Sequence, residues 1–196
     1  MPAVKAAAPA SADPMLFRNA KAFESWLRKN HAKSDGLWLK IAKRGADEPS
    51  VTYPEAVEIA LCWGWIDGQK KGLDEQHFLQ RFTPRRARSI WSKRNREFAT
   101  ALIEAGRMQP AGLAEVERAK ADGRWEAAYD GMATSEVPED LAAALEAAGL
   151  TDAFAELSRQ NRYAILHRVQ TAKKAETRER RIAKYVGMLA ASETPH

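Results

Sequence analysis

The sequence predicts an α+β fold, a small three-stranded antiparallel sheet packed with helices and followed by a helical C-terminal portion. Three observations predict it. Leu37, Leu39 and Ile41 alternate with Trp38, Lys40 and Ala42, the two-residue period of a half-buried strand. Residues 66–71 and 77–83 flank Gly72-Leu73-Asp74-Glu75 and read as an antiparallel pair, with Phe78 and Phe82 on one face and Gln80 between them. Beyond residue 137 every segment carries helical spacing, up to a last stripe of Ile182, Tyr185, Val186 and Leu189.

In chain order, the Ala/Pro-rich start MPAVKAAAPASADP has no leucine-type apolar core, so it reads as a disordered tail over 1–15 rather than a secretory signal. Asn19 is placed to cap a helix carrying Phe23, Trp26 and Leu27 at i, i+3, i+4. Gly36 opens the first predicted strand. Thr52 and Glu55 have capping-box spacing, and Pro54 sits in the first turn, where its missing N–H costs nothing. That helix puts Val57, Ala60, Leu61 and Gly64 on one face, with Ile59 and Trp63 widening the apolar surface, which marks it as central. The paired strands follow, and Pro84 ends the second.

Ser92 can cap a helix through Phe98, Ala101, Leu102 and Ala105, stopped by Gly106. Pro110 starts another through Leu113, Val116 and Ala119, stopped by Gly123. Residues 130–137 read as a linker, and four helices are expected after it, at 138–148, 152–157, 158–171 and 175–191. The organisation is therefore a tail (1–15), an α+β domain (16–130) and a helical region (138–192) packed on it. No repeat at solenoid periods is present.

Composition bounds the function. The chain has 196 residues, 45% of them apolar, and a formal charge of +5. This suits a globular core with a mildly basic surface, and it favours acidic partners. One cysteine excludes an internal disulfide and a thiolate-rich metal site, and it fits a reducing compartment. Cys62 lies in an apolar helix and reads as a buried, inert thiol. The apolar run around 59–66 is far too short to span a bilayer. His31, His77 and His167 have no metal spacing, and no phosphate-binding glycine loop or nucleophile elbow is present. Neither a metal nor a cofactor is expected, and the expected location is the cytoplasm.

The richest chemistry lies at 62–96. Residues 76–96, twenty-one in all, hold seven Arg or Lys and no Asp or Glu. Arg85, Arg86, Arg88, Lys93, Arg94 and Arg96 repel one another unless internal acids or a bound anion neutralise them. Ser92 and the amides after it offer a helix N-terminus beside Lys93, and Trp91 offers a flat face. Ser89 and Asn95 complete this part of the candidate set.

Just upstream, Trp63 and Trp65 would diverge by about 200° on a continuing helix. Either one is core and the other covers a sheet edge, or Trp65 lines a pocket beside Asp67. Asp67-Gly68 is either ordinary turn chemistry or a carboxylate that orients a downstream guanidinium. Near the C-terminus, Lys173, Lys174, Arg178 and Arg181 form a second basic cluster interleaved with Glu176 and Glu179. It reads as a solvated helix face, or as a second wall through Lys173 and Arg178.

Several words in the chain resemble the YdeI/OmpD-associated family, a bacterial group labelled bacteriocin-protection proteins. They are F-x-x-W-L at 23–27, G-L-W-L-K at 36–40, Y-x-E-A-V at 53–57, A-L-C-W-G-W-I-D-G at 60–68, R-F-T-P-R-R at 81–86 and S-x-W-S-K-x-N at 89–95. G-R-M at 106–108, A-K-x-D-G-R-W at 119–125 and A-K-K-x-E-T-R-x-R-R-I at 172–182 complete the set. The resemblance runs from about Phe17 to Leu189 and implies a role in envelope or antimicrobial-peptide stress, with no catalytic residues to carry over.

Three functions compete. The first is a protective binding protein that holds an anionic small molecule or phosphate-bearing ligand in a Trp/Arg-lined pocket of Trp65, Asp67, Arg85, Arg86, Trp91 and their neighbours. The second is a nucleic-acid binder, favoured by basic residues around Trp91 but lacking any recognised nucleic-acid-binding word. The third is an enzyme using Asp67, which lacks a partner residue for proton transfer and is the least favoured.

Overall fold

The computed structural model describes residues 13–196, so the expected tail lies outside the described residues except at its last three positions. The chain divides into two compact units. Of the described residues, the first comprises 13–90 and 95–126, and the second 91–94 and 127–196.

The first unit is built on a sheet of order β1-β2-β4-β3. Its strands are β1 (Met15–Leu16), β2 (Leu37–Ala42), β3 (Trp65–Gly72) and β4 (His77–Pro84). The sheet therefore has four strands, not three antiparallel ones. The addition is β1, which pairs parallel to β2 at Met15↔Leu39 and Leu16↔Lys40. A two-residue strand shows no alternation in sequence, and its parallel partner lies over twenty residues away, so no local signal announces it. β3 and β4 form the expected antiparallel pair, and β2 pairs antiparallel to β4, with Trp38 opposite Arg81 and Ile41 opposite Phe78. The β3–β4 register slips between Asp67 and Lys70.

Helices α1 (Ala20–Asn30), α2 (Tyr53–Cys62) and α4 (Pro110–Ala121) belong to this unit, and α3 (Lys93–Glu104) lies in it from Asn95 onward. Two of the predicted N-caps form. Asn19 Oδ1 accepts from Ala22 N at 2.9 Å, and Thr52 and Glu55 make the reciprocal capping box of α2. Phe23 of α1 meets Phe82 of β4 with ring centroids 5.8 Å apart, so α1 covers the sheet face carrying Leu37, Leu39 and Ile41. Gly64, at φ +73, turns the chain out of α2 and into β3, a conformation that only glycine adopts cheaply. Gly112 lets α4 approach α2 closely: a Cβ there would sit 2.4 Å from Cys62 O.

The second unit is all helical apart from an isolated parallel bridge, Ser92↔Tyr129. It carries α5 (Glu139–Ala147), α6 (Thr151–Glu156), α7 (Arg159–Gln170) and α8 (Ala175–Ala190), close to the four helices expected. Its core joins Leu141 and Leu145 to Phe154, Ile165, Leu166 and Val169, closed by Ile182, Tyr185 and Leu189 of the predicted α8 stripe. Among the described residues no helix is long and apolar enough to cross a membrane.

Candidate functional site

The loop after β4 explains where the arginines go. Arg85 is 6% exposed. Its backbone N–H donates to Gly64 O at 2.9 Å and its Nη1 to Ile90 O at 3.3 Å. Ser89 Oγ accepts from Arg86 N at 2.9 Å while Ser89 N donates back to Arg86 O, which closes a tight turn. Arg124 spans Asp122 through Nε and donates from Nη1 to Ser89 O at 2.7 Å. Arg96 donates to Trp125 O at 3.2 Å. Guanidinium groups thus clamp carbonyls of the chain itself, and in doing so they fix the loop. Arg86 and Arg88 point their side chains to solvent, and no ion pair to either is present among the described residues.

The tryptophans are core. Trp65 is 1% exposed, packs edge-on against Trp26 at 5.8 Å and donates from Nε1 to His31 O at 3.2 Å. Trp63 is buried too, against the His31 ring at 4.7 Å. Trp65 begins β3 rather than continuing α2, so both indoles can be internal despite the two-residue spacing. Trp91, in the second unit, is equally buried. A ligand in solvent meets neither the Trp65 nor the Trp91 face. Asp67 sits in β3 rather than in a turn, and its carboxylate accepts from the Tyr53 hydroxyl at 2.7 Å. Its partner is a phenol and not a downstream arginine.

The remaining candidates divide between the units. Asn95 is half-buried in the first. In the second, Ser92 forms the bridge to Tyr129, and Lys93 reaches Asp130 at 2.6 Å. Arg178 holds Asp140 through Nε at 2.5 Å and Nη2 at 2.8 Å, and it also donates to Val169 O, so it ties α8 to α5 and α7. Lys173 is exposed ahead of α8. Burial would raise the Asp130 carboxyl, but hydrogen bonds from Lys93 and Gln170 hold it below its ordinary value. The hydrogen bonds from Arg178 lower Asp140 in the same direction. Burial pushes the Cys62 thiol up to about 11.

A hollow of about 490 Å³ in the first unit brings basic groups from outside the 76–96 run together with two aromatic rings. Ile41 and Phe78 form its apolar part, Tyr53 borders it, and Lys43, Arg44 and Lys70 supply cations. Lys70 Nζ stands 4.3 Å above the Phe78 ring, within cation–π range. The sheet register brings them together: Lys70 is opposite Gln80 and Gly72 is opposite Phe78, so Lys70 and Phe78 are diagonal neighbours on one face. The Asp67 hydrogen bond fixes the Tyr53 ring at the border. Lys43 is steadied by donating Nζ to Asp74 O at 2.8 Å. No acidic side chain is among the residues lining this hollow. The amide end of α2 is not the anion seat, because Glu55 already accepts from Thr52 N and Oγ1. K-R at 43–44 and K-K at 70–71 are short and lie outside the longest basic run, so the sequence did not single them out. Their position at or just past strand ends was the available signal.

Two family descriptions match the chain. Residues 15–115 match a domain of unknown function (DUF8412), and residues 134–192 match the family described as Bacteriocin-protection, YdeI or OmpD-Associated. Most of the tryptophan and arginine words fall in the first match, and the 172–182 word falls in the second. Neither the curated proteins nor the solved structures yielded a match. The chain accordingly belongs to the domain family of unknown function matched over residues 15–115, and its residues 134–192 are similar to the family described as Bacteriocin-protection, YdeI or OmpD-Associated.

Proposed function

We propose that this bacteriocin-protection-type protein works in the cytoplasm as a binding protein. Its first unit takes a small anionic, phosphate-bearing ligand in the hollow bordered by Tyr53 and Phe78. The observation that carries the reading is the meeting of Lys43, Arg44 and Lys70 around two aromatic rings with no acid in the lining. Lysine and arginine donors make charge-assisted hydrogen bonds to phosphate oxygens, and the rings give a planar group a surface to rest on. A volume of about 490 Å³ suits a ligand of nucleotide size. Asp67 enters this reading as the residue that holds Tyr53, and not as an acid or base.

Isothermal titration of the full chain with pyrophosphate and with adenosine monophosphate tests it. One saturable site per chain is expected. Lys70→Ala should weaken binding about tenfold, the scale of one charge-assisted contact. Lys70→Ala with unchanged affinity would sink the reading. The exposed Arg86 and Arg88 motivate a nucleic-acid alternative. If Arg86→Ala and Arg88→Ala abolish a steeply salt-dependent affinity for single-stranded DNA while Lys70→Ala does not, that alternative stands instead.

A further inference from the structure

The second unit holds a larger hollow, about 700 Å³, walled by α5, α6, the first half of α7 and the segment before α5. Leu145, Phe154 and Leu166 belong to the unit's buried core, and their inner faces also line this space. Met132 and Val137 line it as well, although they are 45% and 41% exposed. The lining thus runs continuously from core to surface, the shape of a slot that receives an apolar chain from one end.

The polar groups are placed unequally. Glu136 and Glu146 line the hollow but are exposed, where water solvates them. Arg162 is half-buried. Its Nη1 makes one long bond, 3.4 Å, to Ala155 O. A guanidinium has five N–H donors, so this bond leaves most of them open to water or to a guest. Arg159, one helical turn away on α7, is exposed and brings a second cation to the rim of the hollow, and no ion pair to it is present among the described residues. The half-buried charge is positive, while the exposed rim carries Arg159 together with Glu136 and Glu146. A neutral or cationic guest would offer the half-buried arginine no charged acceptor, whereas an anionic head would supply one.

We propose that this hollow binds a single-chain amphipathic carboxylate, its tail lying along Leu145, Phe154 and Leu166 and its carboxylate on Arg162 with Arg159. The site is separate from the basic hollow of the first unit and does not depend on it.

The test uses the full chain with dodecanoate, and with dodecanol as the neutral analogue, both below micelle-forming concentration, read by titration calorimetry and by thermal shift. Dodecanoate should bind once per chain and raise the melting temperature, at least about tenfold more tightly than dodecanol. Arg162→Gln should remove that preference while leaving dodecanol affinity unchanged. Ala142→Trp, at an exposed α5 position that lines the hollow, should fill the space and abolish both affinities in a protein of native circular dichroism. Equal affinity for acid and alcohol, or binding that survives Ala142→Trp, overturns the proposal. So does failure of dodecanoate to bind while an amphipathic helical peptide does, because the slot would then be a peptide groove.

Discussion

A single side chain is best judged by what its neighbours leave it able to do. Cys62 is 4% exposed at the end of α2, and burial raises its thiol to about 11. At neutral pH almost none of it is thiolate, the reactive form. Ellman's reagent should therefore label the native protein very slowly and label it fully in denaturing urea. Rapid labelling under native conditions would show that the α2–α4 contact opens. Asp67 illustrates the same principle differently. Its composition-level meaning was ambiguous between a turn and an ion pair, and the deciding fact is the Tyr53 hydroxyl at 2.7 Å. Tyr53→Phe keeps the ring but removes that bond, so it should cost about 1 kcal/mol of stability in a urea melt. A loss several times larger would mean that the carboxylate has no other adequate partner.

At the scale of elements, the tightest constraint is the crossing of α2 by α4. A Cβ at residue 112 would lie 2.4 Å from Cys62 O and 2.7 Å from Leu61 O, both backbone atoms that cannot rotate away. Alanine has the higher helix propensity, yet Gly112→Ala should destabilise by about 1–3 kcal/mol, since overpacking outweighs a propensity gain of about 1 kcal/mol. The denaturation midpoint of the variant measures this, and a stabilised variant would refute the close approach. Elements of this kind were legible in the sequence where their signals are local. The Asn19 cap, the Thr52–Glu55 box, the Gly64 and Gly106 reversals and the α8 stripe are each set by residues within a turn or two. What could not be read was β1, too short for a period, and the fate of the arginines. Arg85, Arg96 and Arg124 end on the carbonyls of Ile90, Trp125 and Ser89, and every residue carries a carbonyl. A basic run without acids was read as neutralised either by internal acids or by a bound anion. Backbone dipoles can serve much of that need, and no residue letter encodes them. The basic hollow was missed for a related reason: Lys43, Arg44 and Lys70 meet only through strand register.

For the molecule as a whole, the two compact units correspond broadly to the two family matches, one at 15–115 and one at 134–192. Electrostatics in the second unit give it an acid sensitivity that can be worked out in sign. Asp130, bound by Lys93 and Gln170, fastens the 91–94 segment and α7 to the start of the unit. Asp140, bound by Arg178, fastens α5 to α8. Both carboxyls titrate below their ordinary value of 3.8 in the folded chain. The unfolded chain therefore takes up protons first as pH falls. The stabilisation is complete above the ordinary carboxylate range and is lost as pH drops through the folded values. Asp140 is 45% exposed in its pair, so solvent screening limits that pair's share to about 1 kcal/mol or less. Melting temperature measured from pH 5 down to pH 2 should fall for the wild type. Asp140→Asn should melt lower than wild type at pH 5 and converge with it near pH 2, because the neutral amide has no proton to take up. Parallel curves for the two proteins would show that the Arg178–Asp140 pair contributes nothing to stability. Added salt should narrow the gap at pH 5, as expected of a pair half open to water.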